Sequence, residues 1–314
     1  MRFIQTFSTS GAVQEAVIEN RLGKPYVAYI EDENKLDWNT KAPLPPEPIY
    51  SAMPLTFEII SGGTINLKAT NSYGVKTVIL EYQKNNNEWI PFTSSTGGYD
   101  IVVEPGDEVR FRGDNDSMCE KPYLAFADDK ANRFKDSTAV YNIYGNIMSL
   151  LSKTGYTEMS ALTSDYAFAH LFQDCLGLIS AQNLVLPAVT LRSHCYKCMF
   201  QASTNLLYGP KVLNFSTPSN WCCLQMFKNC TSMVSAPELL ASNINIDRCY
   251  GGIFQGCANL NRIVCMALNP FENNCLQGWV IDVSSTGTFV KNPSASWTTG
   301  QSGIPDGWTV IDAS

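Results

Sequence analysis

One aromatic position recurs at a nearly constant interval in the second half of the chain, and this period constrains the fold more than any other feature. Its members stand 28, 27 and 27 residues apart: Phe172, Phe200, Phe227 and Phe254. A repeat of this length predicts a solenoid, in which each unit is one coil that cannot bury its apolar side alone. The stacked coils are then expected to share one continuous core.

Other positions keep their residue type at a fixed distance from these phenylalanines. Three residues later stand Cys175, Ser203, Cys230 and Cys257, and six residues later Leu178, Leu206, Met233 and Leu260. Five residues before the last three phenylalanines stand Cys195, Cys222 and Cys249. Stacking places equivalent side chains above one another, so each position predicts a buried column, and a thiol suits such a column as a small hydrophobe. Ser203 breaks one pattern, and the segment NFSTPSNW is inserted before Cys222, so we expect the second coil to be less regular than the others.

Two further segments complete each predicted coil. A short apolar stretch in each repeat predicts a short strand, around Leu184, Val212, Leu239 and Met266. The stretch before each phenylalanine (CYKCMF, CCLQMF and CYGGIF) predicts a turn or a short helix.

The first half of the chain has a different pattern. Apolar residues alternate in short runs between residues 51 and 136, and the Asn85–Asn87 run separates two of them, which predicts a hairpin within a small antiparallel β-sandwich. Proline-rich residues 41–50 predict a linker after a separate N-terminal module of residues 1–40. The full expectation is a mixed, mainly β chain, with the solenoid at 137–280 and a cap at 281–314 that covers its last coil.

The motif "CY..MF..C..L...P.L" and the ending from Ser285 to Asp312 resemble the BspA-like leucine-rich-repeat proteins of gut Bacteroidales and their bacteriophages. The resemblance is strong from Tyr141 onward and weaker before it. It implies a leucine-rich-repeat-like solenoid that binds a host-surface glycan or protein, or another virion protein. For the segment YVAYIEDENKLDWN it implies a virion-attachment piece, so residues 1–40 would contact other virion proteins. A homo-oligomer stays possible, although the sequence contains no coiled-coil heptad that would support one.

Composition and charge exclude some classes of protein. The net charge of −7 and the lack of a basic run disfavour nucleic-acid binding. No apolar run is long enough to predict a membrane span. Ten of the eleven cysteines lie between Cys175 and Cys275, and the N-terminus lacks a secretory signal pattern, so we expect buried free thiols. Disulfides between stacked cysteines stay geometrically open.

Few residues have the spacing of a chemical site. His194, Cys195 and Cys198, with Cys222, Cys223 and Cys230, suggest zinc, but a second C-x-x-C motif is missing, so no metal or cofactor is expected. The two histidines, His170 and His194, lack the motif of a cysteine hydrolase; we expect His170 at the surface of a turn and His194 in a solvated loop. Acidic runs at Glu31–Glu33 and Asp128–Asp129 lack calcium-loop spacing. Tyr208, Trp221, Tyr250 and Trp279 are weak candidates for ligand contacts, since aromatic residues often anchor interfaces.

Three functions are compatible with this pattern. The first is a non-enzymatic virion structural protein, such as a fibre, spike or appendage component, whose solenoid binds a host surface. The second is a bacterial cell-surface adhesin of the same repeat family, although the first cysteine is Cys119 and offers no lipid-attachment motif near the N-terminus. The third is a glycan-cleaving enzyme, which is disfavoured because the acids Asp174, Glu238, Asp247 and Glu272 share no repeat column.

Overall fold

The computed structural model describes residues 2–4, 14–19, 25–30, 49–70, 76–120 and 130–313. Within these residues the fold is mainly β, with four sheets, and the only helical elements are short 3-10 turns. None of the helical segments in this part of the chain has the length and hydropathy to span a membrane. The chain forms two compact units, Met1–Ile49 and Tyr50–Ser314.

The first unit contains one antiparallel sheet with the order β1-β2-β3. Its strands are β1 (Arg2–Ile4), β2 (Gln14–Glu19) and β3 (Pro25–Ile30). The attachment role expected of residues 1–40 stays a prediction. Of the proline-rich linker at 41–50, residues 41–48 lie outside the described residues.

The second unit begins with strands that match the alternating apolar runs. They are β4 (Leu55–Ser61), β5 (Gly63–Thr70), β6 (Ile79–Lys84), β7 (Ile90–Thr93), β8 (Tyr99–Val103), β9 (Glu108–Gly113), β10 (Cys119–Glu120), β11 (Lys130–Arg133) and β12 (Val140–Asn146). Leu55, Phe57 and Ile59 of β4 are buried, as their alternation predicts. The hairpin predicted around Asn85–Asn87 is confirmed, since β6 pairs antiparallel with β7.

One strand joins the two halves of this unit. Strand β12 pairs antiparallel with β4 and parallel with β13 (Leu178–Val185), within a sheet of order β13-β12-β4-β9-β6-β7. The core is also continuous, because the Phe134 ring lies 4.8 Å from Phe57 and 5.7 Å from Phe172. The segments before and after residue 136 therefore share a sheet and a core. The domain boundary expected at that residue stays a prediction.

A parallel sheet forms one side of the C-terminal region. Its strands follow in chain order: β14 (Val212–Leu213), β15 (Glu238–Leu239), β16 (Arg262–Cys265), β17 (Thr288–Lys291) and β18 (Thr309–Asp312). Residues 281–314, expected to be a cap, supply its last two strands. Trp308 is buried there, and its indole Nε1 donates to the Ser284 carbonyl oxygen at 2.8 Å.

Candidate binding surfaces

Backbone hydrogen bonds join each repeat to the next one. The N–H of Phe172 donates to the Met199 carbonyl oxygen at 2.8 Å, and the N–H of Phe200 donates to that of Met226 at 2.8 Å. Bonds of this kind recur at every second residue of four turn segments, which span 166–174, 194–202, 221–229 and 248–256; in the last segment they begin at Tyr250. We call residues 166–282 the repeat stack.

Left-handed backbone recurs at every fourth position of these turn segments. In the first segment Tyr166, His170 and Asp174 have φ values of 57°, 62° and 58°. The equivalent left-handed residues of the next three segments are His194, Cys198 and Ala202, then Trp221, Gln225 and Asn229, then Arg248, Gly252 and Gly256. This conformation costs a residue with a side chain roughly 1–2 kcal/mol. The inter-repeat hydrogen bonds offset that cost, and they fix which residues share a surface column.

The predicted aromatic column is buried and stacked. Neighbouring ring centroids lie 5.4 Å apart from Phe172 to Phe200, 5.2 Å from Phe200 to Phe227 and 5.9 Å from Phe227 to Phe254. The leucine and methionine column is buried as well: Leu178, Leu206, Met233 and Leu260. Both columns form the interior against which the surface residues are positioned.

The cysteine column has a role that composition alone did not indicate. The Cys230 thiol donates to the Phe200 carbonyl oxygen at 3.0 Å, and Ser203 donates its hydroxyl to the Phe172 carbonyl oxygen at 2.6 Å. The position therefore takes a small side chain that donates to the phenylalanine of the preceding repeat. The irregularity expected at Ser203 is wrong, because serine makes the same bond as cysteine.

All eleven cysteines are buried free thiols. Burial raises the pKa of Cys175, Cys257 and Cys265 from the usual 9.0 to about 12 each. In the other cysteine column, formed by Cys195, Cys222 and Cys249, the Sγ atoms of Cys222 and Cys249 lie 3.4 Å apart without a disulfide.

We expect the native protein to resist alkylation by iodoacetamide at mildly alkaline pH. Thiolate is the reactive form; burial keeps all eleven thiols from solvent, and it raises the pKa of Cys175 and Cys257 to about 12. Intact mass should show unmodified cysteines in the folded protein and eleven adducts after denaturation. Rapid native labelling between Cys175 and Cys275 would contradict the buried columns, and fewer than eleven adducts after denaturation would indicate disulfides.

Two of the four candidate aromatic contacts are corrected by burial. Tyr250 and Trp279 are both fully buried. The indole Nε1 of Trp279 donates to the Gly303 carbonyl oxygen at 2.8 Å, and its ring lies 6.2 Å from Phe254 at the end of the phenylalanine column. Both residues are core, so neither offers a ring to a ligand.

Trp221 lies at the surface but between two neighbours. Its ring centroid is 5.1 Å from that of His194 on one side, and the Arg248 guanidinium carbon is 5.0 Å from it on the other. Its indole Nε1 donates to the Asp247 carboxylate at 2.7 Å. His194 and Arg248 thus restrict access to the Trp221 ring, and its role as a ligand contact stays a prediction.

Tyr208 is partly exposed, and its role as a ligand contact stays a prediction. It is 38% exposed, and it bridges Ser180 and Ser235 on the strand side of the repeat stack. Ser235 belongs to the lining of a groove beside it.

This strand-face groove has a volume of about 440 Å³ and combines charged and apolar side chains. The charged side chains are Lys211, Glu238 and Arg262. In the part of the chain that the structure describes, none of the three has a side-chain hydrogen bond or an ion pair. A second hollow of about 210 Å³ shares Lys211 with it and extends it toward Tyr50. Charged groups that are free of internal partners are available to a polar ligand.

Both histidines make side-chain contacts within the repeat stack. His170 lies in a turn segment but is buried, and its Nδ1 lies 2.6 Å from Gln173 Oε1, so the surface position expected for it is wrong. His194 is partly buried and stacks on Tyr166 at 4.5 Å, where a solvated loop was expected. Across the described residues, no three His, Cys, Asp or Glu side chains come together as a metal site.

The acidic residues lie on different parts of the repeat stack. Asp174 ends the first turn segment, 3.9 Å from Arg133, whereas Glu238 begins β15 and Asp247 accepts from Trp221. The Glu272 side chain and the runs Glu31–Glu33 and Asp128–Asp129 lie outside the described part. Comparison of the chain with protein-family models, with characterised proteins and with solved structures finds no match.

Proposed function

We propose that this chain is a non-enzymatic binding protein whose second unit contains a leucine-rich-repeat-like solenoid. The observation that carries the proposal is the ladder of inter-repeat hydrogen bonds, which continues from Phe172 to Phe254 with the phenylalanine rings stacked above one another. Such a ladder holds the backbone while outward side chains vary, which suits recognition of a large partner surface.

The strand-face groove is the proposed contact surface. It crosses several repeats, so one partner would touch Lys211, Glu238 and Arg262 together. Their mixed charges favour a polar partner with both acidic and basic or hydroxyl groups, such as a host-surface glycan or protein. Tyr208 beside the groove adds an exposed aromatic ring of the kind that anchors interfaces.

The biological setting follows from the resemblance to phage and Bacteroidales repeat proteins. We propose a virion structural protein, a fibre, spike or appendage component, with Met1–Ile49 as the unit that attaches to other virion proteins. The division into two compact units supports separate attachment and binding roles. The alternative is a cell-surface adhesin of the BspA-like type, which would use the same groove on a bacterial envelope.

Neutralising the groove should reduce binding without unfolding the protein. The variant Lys211→Ala/Glu238→Ala/Arg262→Ala removes three exposed charges that make no internal bond within the described residues, so its melting temperature should match the parent. Fluorescently labelled variant should bind Bacteroidales cells about tenfold less than the parent, a loss of roughly 1.4 kcal/mol.

The matched control changes a charged residue elsewhere on the repeat stack. Lys228→Ala removes a partly exposed cation from a turn segment, away from the groove lining, and should leave binding unchanged. Equal binding of the triple variant and the parent would contradict the groove as the contact surface.

A further inference from the structure

Arg248 is held in a fixed orientation on the turn side of the repeat stack. Its guanidinium carbon lies 5.0 Å from the Trp221 ring centroid, and its Nε donates to Gln277 Oε1 at 2.7 Å. The beginning of its side chain passes Gly251, where an added Cβ would lie 3.0 Å from the Arg248 Cβ. The ring contact and the hydrogen bond therefore restrain the guanidinium group at two points.

The terminal nitrogens of this guanidinium have no partner among the described residues. The nearest carboxylate in the sequence, Asp247, instead accepts from the Trp221 indole at 2.7 Å. Arg248 thus keeps two NH₂ groups that are oriented but not bonded. A planar fork of this kind matches the two oxygens of a carboxylate.

The fork lines a notch of about 330 Å³ that two glycines open in the surface. Gly251 and Gly252 occupy positions where the preceding turn segment has Leu224 and Gln225, so two side chains are missing from their columns. Gln225, Gln255 and Gln277 surround the gap. Amide groups both donate and accept hydrogen bonds, as sugar hydroxyls also do.

We propose that this notch binds a carboxylate-bearing sugar, as a unit of an acidic glycan. The Arg248 fork takes the carboxylate in a bidentate contact, while the Gln225 and Gln255 amides meet the hydroxyl groups. The volume lies at the lower end of that of small-ligand sites, which suits one sugar unit. The notch is lined by turn-segment residues, so this site is distinct from the strand-face groove and does not depend on the role proposed for it.

Titration calorimetry of the full chain with glucuronate, glucose and inorganic phosphate tests this assignment. Glucuronate should bind, glucose should bind at least about tenfold more weakly, and phosphate should not match glucuronate, because a carboxylate fits the fork and hydroxyls fit the amides. Arg248→Gln should weaken glucuronate binding about tenfold or more. Arg248→Lys should lose most of the affinity as well, since it keeps the charge but not the fork.

Two further variants separate the site from general charge and from folding. Gln277→Leu removes the partner of Arg248 Nε at an exposed position and should weaken glucuronate binding several-fold, with an unchanged melting temperature. Arg192→Gln removes an exposed arginine outside the notch and should have no effect. Equal binding of glucose and glucuronate, equal binding of phosphate, or full affinity in Arg248→Lys would overturn the proposal.

Discussion

Replacing Phe227 by alanine should lower the free energy of unfolding of the second unit by about 3–5 kcal/mol. The ring is fully buried between Phe200 at 5.2 Å and Phe254 at 5.9 Å, so its loss leaves a cavity in the middle of the column. Urea denaturation followed by circular dichroism measures the change. Phe227→Leu keeps most of the volume and should cost less.

The matched control for this variant is Tyr208→Ala, which removes an aromatic ring at a surface position of the same repeat stack. Because Tyr208 is 38% exposed, its loss should change stability by only about 0.5 kcal/mol or less. If Phe227→Ala and Tyr208→Ala had the same free energy of unfolding, this would contradict the buried, stacked phenylalanine column.

The second large effect is expected at Gly145, where β12 meets the chain before β4. Gly145 has a φ of 90°, and an added Cβ would lie 2.1 Å from the Pro54 carbonyl oxygen. Gly145→Ala therefore combines an unfavourable backbone conformation, at about 1–3 kcal/mol, with a collision against backbone. We expect a loss of more than about 3 kcal/mol, together with disruption of the shared sheet.

Gly106→Ala separates the two causes. Gly106 has a φ of 89°, but an added Cβ there would meet no atom within 4 Å. Its variant should show the backbone cost alone, measured by the same urea titration. Equal losses at the two glycines would mean that the close approach of Pro54 to β12 does not exist in solution.

The repeat period is the feature of the fold that could be predicted from the sequence. An interval of 27 or 28 residues determines which side chains stack, so the burial of Phe200, Cys222 and Leu206 followed from alignment of the repeats alone. The alternating runs of β4 and β9 were equally direct, because a half-buried strand must alternate. The repeat interval and the alternation can both be read from the sequence without knowing which strand or repeat packs against which.

The turn segments could not be predicted in the same way. Left-handed conformations are usually signalled by glycine, yet Tyr166, His194 and Trp221 adopt them because inter-repeat hydrogen bonds hold the backbone there. The conformation is thus set by tertiary contacts, and the residue types give no warning of it. For the same reason the Arg248 fork was missed: it depends on Trp221 and Gln277, which stand one repeat away on either side.

The aromatic candidates show where composition misleads. The sequence offers Tyr208, Trp221, Tyr250 and Trp279 alike as candidate ligand contacts, because all four lie outside the phenylalanine column. Only their burial distinguishes Tyr250 and Trp279 from the other two. A fifth repeat, shorter than 27 residues, would have placed Trp279 at the end of that column, because the Phe254 N–H donates to the Trp279 carbonyl oxygen. An irregular last spacing hid this relation.

The proposed role as a virion binding protein is tested most directly by locating the chain. Mass spectrometry of purified phage particles from the source culture would be paired with immunogold electron microscopy against residues 166–282. We predict peptides of this chain in the particles and gold label at an appendage. Absence from the particles, with label on the bacterial surface instead, would contradict the virion proposal and favour the adhesin.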